Sequence, residues 1–335
     1  MRAVVLVGGF GTRLRPLTRS RPKQMLPVVN RPMIEHVVGH LTAYGVDDVV
    51  LSLGYRPDAF VAAYPDGRCA GASLHYAVEP EPLDTGGAIR FAATDAGIDQ
   101  RFLVLNGDVL TDLDIGELVE LHVARAAEAT IALHRVDDPS RYGVVPTDDR
   151  GRVLEFVEKP PPGQAPTDLI NAGTYVLEPS VIDRIPGGRR VSVERDTFPA
   201  LAAEGRLYAF DDHTYWIDAG TPQHYIEAQL DLLDGLRGDP VDGVHPTARI
   251  HPDATVKRSV VGPGAVVAAG ARVEGSVLLG GVDVGRDATV EGSVVGGGAV
   301  IGAGAQVLGC SVIGHDHVVE PGRRLDGDRV PLEQA

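Results

Sequence analysis

A chain of 335 residues exceeds one ordinary domain and predicts two. With 44% apolar and 23% charged residues the composition is globular; no apolar run approaches the roughly 20 residues of a membrane helix and no signal peptide precedes the first strand, so a cytoplasmic protein with no membrane partner is expected. The net charge of −15, from 31 basic against 46 acidic residues, argues against a nucleic-acid partner, which needs a broad basic face, and two cysteines, Cys69 and Cys310, are too few for a disulfide framework.

The chain opens on an apolar run at 3–7, of the kind a buried parallel strand uses, followed by Gly8, Gly9 and Gly11, which let backbone come close to a ligand. Behind them stand Arg13, Arg15, Arg19, Arg21 and Lys23, five cations in eleven positions. Such a segment suits a polyphosphate. The glycine spacing alone is weak. It lacks the third glycine of the dinucleotide fingerprint and the G-K-[ST] end of a P-loop, which leaves an ordinary strand-to-helix turn with a solvated basic stretch as the alternative. Lysine usage weighs against that alternative. Lys23, Lys159 and Lys257 stand beside 28 arginines, and the first two lie inside Pro22-Lys23 and Glu158-Lys159-Pro160. A compact ammonium is not interchangeable with a planar guanidinium, so phosphate contact is the role expected of Lys23 and Lys159.

Further along, short apolar runs at 49–53, 74–78 and 102–105 alternate with helical patterns, the first marked by Ile34, Val37, Val38 and Leu41 between Pro32 and Gly45. This alternation predicts a Rossmann-like, mostly parallel α/β sheet over residues 1–232, with ligands beyond the carboxyl ends of its strands. Glu81-Pro82-Leu83-Asp84-Thr85-Gly86-Gly87 reads as a glycine turn opening a helix, whose bare amides suit a base edge or a phosphate. Asn106-Gly107-Asp108 puts a carboxylate at the end of a central strand, fit for Mg²⁺ among phosphates or, alternatively, for capping a turn. Tyr142-Gly143-Val144-Val145, Phe156-Val157-Glu158-Lys159-Pro160 and Asn171-Ala172-Gly173-Thr174-Tyr175 look like strand ends facing a polyol phosphate. Glu158 and Lys159 read as a pair presented to that phosphate; the alternative is that, as neighbours in a strand, their side chains point to opposite faces. Trp216-Ile217-Asp218-Ala219-Gly220 offers a second carboxylate, which taken alone is a helix cap.

After a Gly/Asp/Pro linker at 233–243 the texture changes to Val, Gly and Ala with a period of 17. Val244, Val261, Leu278, Val295 and Val312 recur at that step, as do Ile250, Val267, Val284, Ile301 and Val318, and Val256, Val273, Val290 and Val307. Aliphatic positions spaced six, six and five are a hexapeptide repeat with one shortened side. Three short strands per turn predict a left-handed parallel β-helix over 244–322, followed by a charged tail at 323–335 that covers its open edge.

The ordered set GGFGTRLRPLT, RPK, PLDTGG, NGDV, YGVV, FVEKP, NAGTYV and WIDAGTP, followed by hexapeptide repeats, resembles the nucleotide-sugar pyrophosphorylases, and within them the mannose-1-phosphate guanylyltransferases, over essentially the whole chain. The resemblance implies a sugar-1-phosphate nucleotidyltransferase that uses Mg²⁺ and makes an NDP-sugar and pyrophosphate, with GTP and mannose 1-phosphate as leading substrates. Carried over by motif, Gly8, Gly9, Gly11 and Thr12 wrap the nucleotide, Arg13 and Lys23 hold the triphosphate, Asp108 and Asp218 bind metal, and Gly86 lies under the base. Gly143, Glu158, Lys159 and Asn171 hold the sugar phosphate. The catalytic set implied is Arg13, Lys23, Asp108 and Lys159, in a homo-oligomer. Three positions depart from the family pattern: Asp84 stands where many guanylyltransferases have glycine, Gln24 where proline is usual, and Ala219 where a bulkier apolar residue is usual. Asp84 and Gln24 leave dTTP or ATP with glucose 1-phosphate, or an unusual sugar or cyclitol phosphate, open.

Two other classes fit parts of the chain. Hexapeptide coils also occur in acyltransferases, where His245, His251, His315 or His317 would supply a base, although single histidines on turns are more often surface residues. A regulatory subunit that binds an NDP-sugar without converting it is the other, and intact Arg13, Lys23, Asp108 and Asp218 weigh against it.

Overall fold

A computed structural model describes residues 1–331. The chain divides into two compact units, one formed by Met1–Gly9 and Ile34–Trp216, the other by Phe10–Met33 and the chain from Ile217 onward. The division departs from the sequence expectation of one catalytic body over 1–232. The cationic segment and the helix Pro222–Leu233 group with the repeat region instead.

In the first unit the apolar run becomes the strand Arg2–Leu6, which pairs in parallel with Asp48–Leu53 on one side and Phe102–Asn106 on the other. Ala72–Val78 extends the parallel part beyond Asp48–Leu53. On the other flank Leu169–Leu177 runs antiparallel to Phe102–Asn106 and to Ala129–Arg135, so the sheet is parallel around Arg2–Leu6 and mixed beyond. Val4, Val50 and Val104 are fully buried in register, the continuous apolar pattern of strands covered on both faces. Tyr175 and Phe198, both fully buried, meet edge to face at 5.1 Å and anchor the antiparallel flank.

In the second unit the helix Pro222–Leu233 starts with proline at its first turn and Thr221 as its cap, the hydroxyl accepting the His224 N–H at 3.3 Å. Its fully buried Tyr225 donates to the Pro27 carbonyl, and its buried Gln229 accepts the Val29 N–H at 3.2 Å. The helix thereby fixes the far end of the cationic segment. The repeats form three five-stranded parallel sheets, the coil the sequence predicts. Inward Val267, Val284 and Ile301, and Val273, Val290 and Val307, are essentially inaccessible. A serine ladder that the repeat analysis overlooked ties successive turns together: Ser259, Ser276 and Ser293 each accept the next serine's N–H at 3.1, 3.2 and 3.2 Å.

Two expectations for the coil are corrected. The strands Arg324–Asp326 and Arg329–Val330 join the sheets, so the fifth turn is completed by residues assigned to a tail; residues 332–335 of that expected tail lie outside the described residues. Also, Val295 pairs with Ile313 and Ile301 with Val319, not with Val312 and Val318. The connection from Leu308 to Val312 holds one residue more than those of the preceding turns, with Gly309 and Cys310 both at positive φ. A one-residue slip exchanges the two faces of a strand, so Val319 is buried and Val318 is 50% exposed. No helix among the described residues is long and apolar enough to cross a membrane.

Candidate active site

In the first unit Gly8 and Gly9 follow the parallel strand Arg2–Leu6, and Asp108 follows the parallel strand Phe102–Asn106. Gly107 follows Phe102–Asn106, and its N–H donates to the Leu6 carbonyl at 3.0 Å. A Cβ on Gly107 would lie 2.6 Å from a Val7 methyl, so glycine is required for the turn that presents Asp108, itself 8% exposed. The motif at 83–87 differs from its sequence reading. The N–H groups of Gly86 and Gly87 both donate to the Val191 carbonyl, at 2.8 and 3.1 Å, so these amides are not bare, as a base edge or a phosphate would need them to be. The segment at 191–193 packs on the start of the helix, and a Cβ on Gly86 would approach the same carbonyl to 3.0 Å. Asp84, the departure from glycine, has φ +61, a backbone state that glycine takes freely and Asp tolerates better than most residues.

Glu79 had no signal beyond its place just ahead of that motif. It accepts the Leu83 N–H at 3.0 Å and the Ser52 hydroxyl at 3.1 Å, and burial pushes its carboxyl above the usual range while those two bonds pull it down. It braces the turn from within.

The expected sugar-phosphate residues converge through strand pairing. Gly143 pairs with Glu158, and Val144 pairs with Ile170, which places Gly143, Glu158 and Asn171 on three adjacent strands. The strand ends at Glu158; Lys159 has φ +50, which swings its side chain round into an ion pair with Glu158. The two side chains therefore lie together, not on opposite faces, because Lys159 has left the strand geometry. Asn171 sits at a register shift in Leu169–Leu177, where its Oδ1 accepts the Gly173 N–H at 2.9 Å and its Nδ2 donates to the Tyr175 hydroxyl at 2.9 Å. Bulges of this kind re-aim side chains beside functional sites. Sequence reasoning overlooked the aromatic wall on this bulge. Trp216 donates its indole N–H to the Ala172 carbonyl at 2.9 Å, stacks on His134 at 5.3 Å and receives the edge of Tyr142 at 5.8 Å. Burial holds the His134 imidazole below its ordinary value, against the pull of Asp212.

In the second unit Gly11 has φ +61, and its carbonyl accepts the Thr18 hydroxyl at 2.7 Å, closing the turn around Thr12 and Arg13. Single 3-10 turns at Thr12–Leu14 and Lys23–Met25 flank the segment. Arg13 Nη2 lies 3.5 Å from Asp218 Oδ2, and Asp218 Oδ1 accepts the Gly220 N–H at 2.9 Å. Two residues separated by 205 positions, one read as a triphosphate ligand and one as a metal ligand, are thus neighbours. The helix cap role that Asp218 has by sequence alone belongs to Thr221. Gln24 is buried with no partner for its Oε1, and Ala219 is fully buried. Lys257, itself exposed, ends the strand Thr255–Lys257 of the coil.

The nucleotidyl transferase family model matches residues 2–235, and the model of the GMPPB C-terminal domain matches residues 240–333. A mannose-1-phosphate guanylyltransferase of Mycobacterium tuberculosis is 44% identical over 292 residues, covering 84% of this chain and 80% of the relative. Mannose-1-phosphate guanylyltransferase 1 of Arabidopsis thaliana is 39% identical over 290 residues, 83% of this chain and 80% of the relative. Among solved structures, HddC from Yersinia pseudotuberculosis in complex with GMP-PN is 31% identical with a TM-score of 0.58, over 68% of this chain and 97% of that one.

Proposed function

The chain belongs to the nucleotidyl transferase family, and on that premise we propose that it joins GTP to mannose 1-phosphate, releasing pyrophosphate and GDP-mannose. The pairing of Arg13 with Asp218 is the observation that carries this reading: a cation suited to phosphate and an acid suited to a metal lie 3.5 Å apart. The names of the relatives supply the guanosine and the mannose.

The phosphate oxygen of a sugar 1-phosphate is already an anionic nucleophile, so the reaction calls for no general base and no covalent enzyme intermediate. The barrier lies in bringing two polyanions together and in the charge that develops as pyrophosphate leaves in line. Positioning and cationic stabilisation are then the catalytic task. In this reading Gly8, Gly9, Gly11 and Thr12 let the backbone close on the nucleotide, Gly86 lies under the base, and Arg13 and Lys23 neutralise the triphosphate and the leaving group. Gly143, Glu158 and Asn171 orient the sugar phosphate, and Lys159, released from Glu158, steers the attacking oxygen.

Enzymes of this reaction class use a divalent cation, and Asp108 and Asp218 would hold Mg²⁺. Carboxylate oxygens are the hard donors it takes, and one or two of them suffice where phosphates and water supply the other ligands. When bound, it supplies charge neutralisation at the phosphates.

Pyrophosphate release measured over a matrix of five NTPs and a panel of sugar 1-phosphates tests the substrate assignment, with GTP and mannose 1-phosphate expected to give the highest kcat/KM. A different best pair overturns it. Arg13→Ala or Lys23→Ala is expected to lower turnover a hundredfold or more, on the order of 3 kcal/mol of transition-state stabilisation, while Lys257→Ala leaves it unchanged. Wild-type turnover by Arg13→Ala would remove the site assignment.

A further inference from the structure

The segment that carries Arg13 and Lys23 is held at three consecutive residues by the fifth turn of the coil. His315 Nδ1 accepts the Gly297 N–H at 2.9 Å, which fixes the ring proton on Nε2, and Nε2–H donates to the Leu17 carbonyl at 3.1 Å. Arg329 Nη1 donates to the Arg15 carbonyl at 3.3 Å. Gly314 lies against Pro16 so closely that a Cβ there would stand 3.3 Å from two of its ring carbons. Leu14 and Leu17, which lie between Arg13 and Lys23, are fully buried, so their side chains anchor the intervening backbone.

The register of the coil shows that this support is specific to one turn. The strand pairs Val261–Leu278, Leu278–Val295 and Val295–Ile313 align His315 with Pro263, Gly280 and Gly297 of the earlier turns. None of those carries a side-chain donor. The histidine appears in the turn that follows the extra residue at 309–310, which is where the cationic segment lies against the coil. Burial and the nearby Arg21 hold its imidazole below the ordinary value, with Asp316 and the bonds to Leu17 and Gly297 opposing, so the single-proton form that bridges Gly297 and Leu17 is the one favoured. Sequence reading treated His315 as a surface residue or an acyltransferase base; its two ring nitrogens are instead both engaged by backbone.

We infer that His315 is a positioning residue for nucleotide binding: the fifth turn of the coil, through His315 and Arg329, sets the backbone of residues 15–17 and thereby the placement of Arg13 and Lys23. This rests on the reading of Arg13 and Lys23 as triphosphate ligands. The coil then contributes to the reaction directly, not only as a scaffold for assembly.

Asparagine and glutamine separate the two ring nitrogens. The Asn amide takes the place of Nδ1 and accepts from Gly297 but is too short for Leu17, whereas the Gln amide reaches the position of Nε2 with a donor. His315→Asn is expected to raise KM for the nucleoside triphosphate about five- to tenfold, as loss of one hydrogen bond would, with little change in KM for the sugar 1-phosphate. It should also speed tryptic cleavage after Arg19. His315→Gln is expected to restore both to within about twofold. Arg329→Met, an exposed change that leaves the coil core intact, should raise the same KM in the same direction and serves if His315→Asn does not fold. Unchanged triphosphate KM in the variant that folds, or a lower melting temperature with unchanged KM, would overturn the inference. Arg13→Ala run alongside separates the two claims: full activity in Arg13→Ala sinks the nucleotide reading, while its loss together with an unaffected His315→Asn sinks the positioning role alone.

Discussion

The mixed sheet and the coil are both built on parallel pairing of short valine-rich strands, yet they depart from regularity in different ways. In the sheet the departures are many and lie at strand ends: the Gly107 turn, the positive φ of Asp84 and Lys159, and the bulge after Asn171. In the coil one inserted residue near Cys310 shifts everything after it. In each region the irregular point is where a side chain acquires work. A ladder that continues unbroken has nowhere to aim a functional group, because each residue is committed to the face its position dictates.

The largest expected effect tests the shift in the coil. Val319→Asp places a charge inside the fifth turn and should destabilise it by several kcal/mol, whereas Val318→Asp should fall within about 0.5 kcal/mol of wild type in urea unfolding. The reverse order would restore the strict 17-residue repeat and end the contrast. A smaller effect concerns acid and belongs to the sheet. Burial raises the Glu128 carboxyl, but hydrogen bonds from Arg184, Arg206 and Ser180 outweigh it and hold the group below its ordinary value of 4.5. The unfolded chain therefore takes up the proton first, so this contribution is complete above pH 4.5 and is lost as pH falls through the lower native value. Glu128→Gln should lower the melting temperature at pH 7 and flatten the acid limb of its pH dependence; an unaltered limb would show that the carboxylate is not so held. The smallest effect is at Asp84. Asp84→Gly relieves the positive φ at the cost of an exposed bond to the Thr85 N–H, and the urea midpoint should shift toward stability by no more than about 1 kcal/mol. A large loss of stability would mean that the Asp side chain, not the backbone state, is what the position requires.

Much of this was legible from residue order. The strand at 2–6, the carboxylate after 102–106 and the triangular coil follow from apolar runs, glycine placement and a 17-residue period, all of which are local patterns. The aromatic wall on Trp216 was not legible, because Trp216 is far along the chain from His134 and Tyr142 and meets them only when the chain folds. For the Glu158–Lys159 pair residue order left opposite faces open as an alternative, and that alternative fails because alternation of faces holds only while a strand lasts and the strand stops between them.

By itself the sequence determined the reaction chemistry on offer, since residue types and their spacing decide which groups can bind phosphate or metal and which segments can form strands. Tertiary structure alone decided which of those groups act together: that Arg13 meets Asp218, that the Gly86 amide is already taken by Val191, and that His315 braces Leu17 from 298 residues away. Pairing across such separations depends on how whole elements pack and in what register, and a single residue inserted in one turn changes it without altering any local pattern.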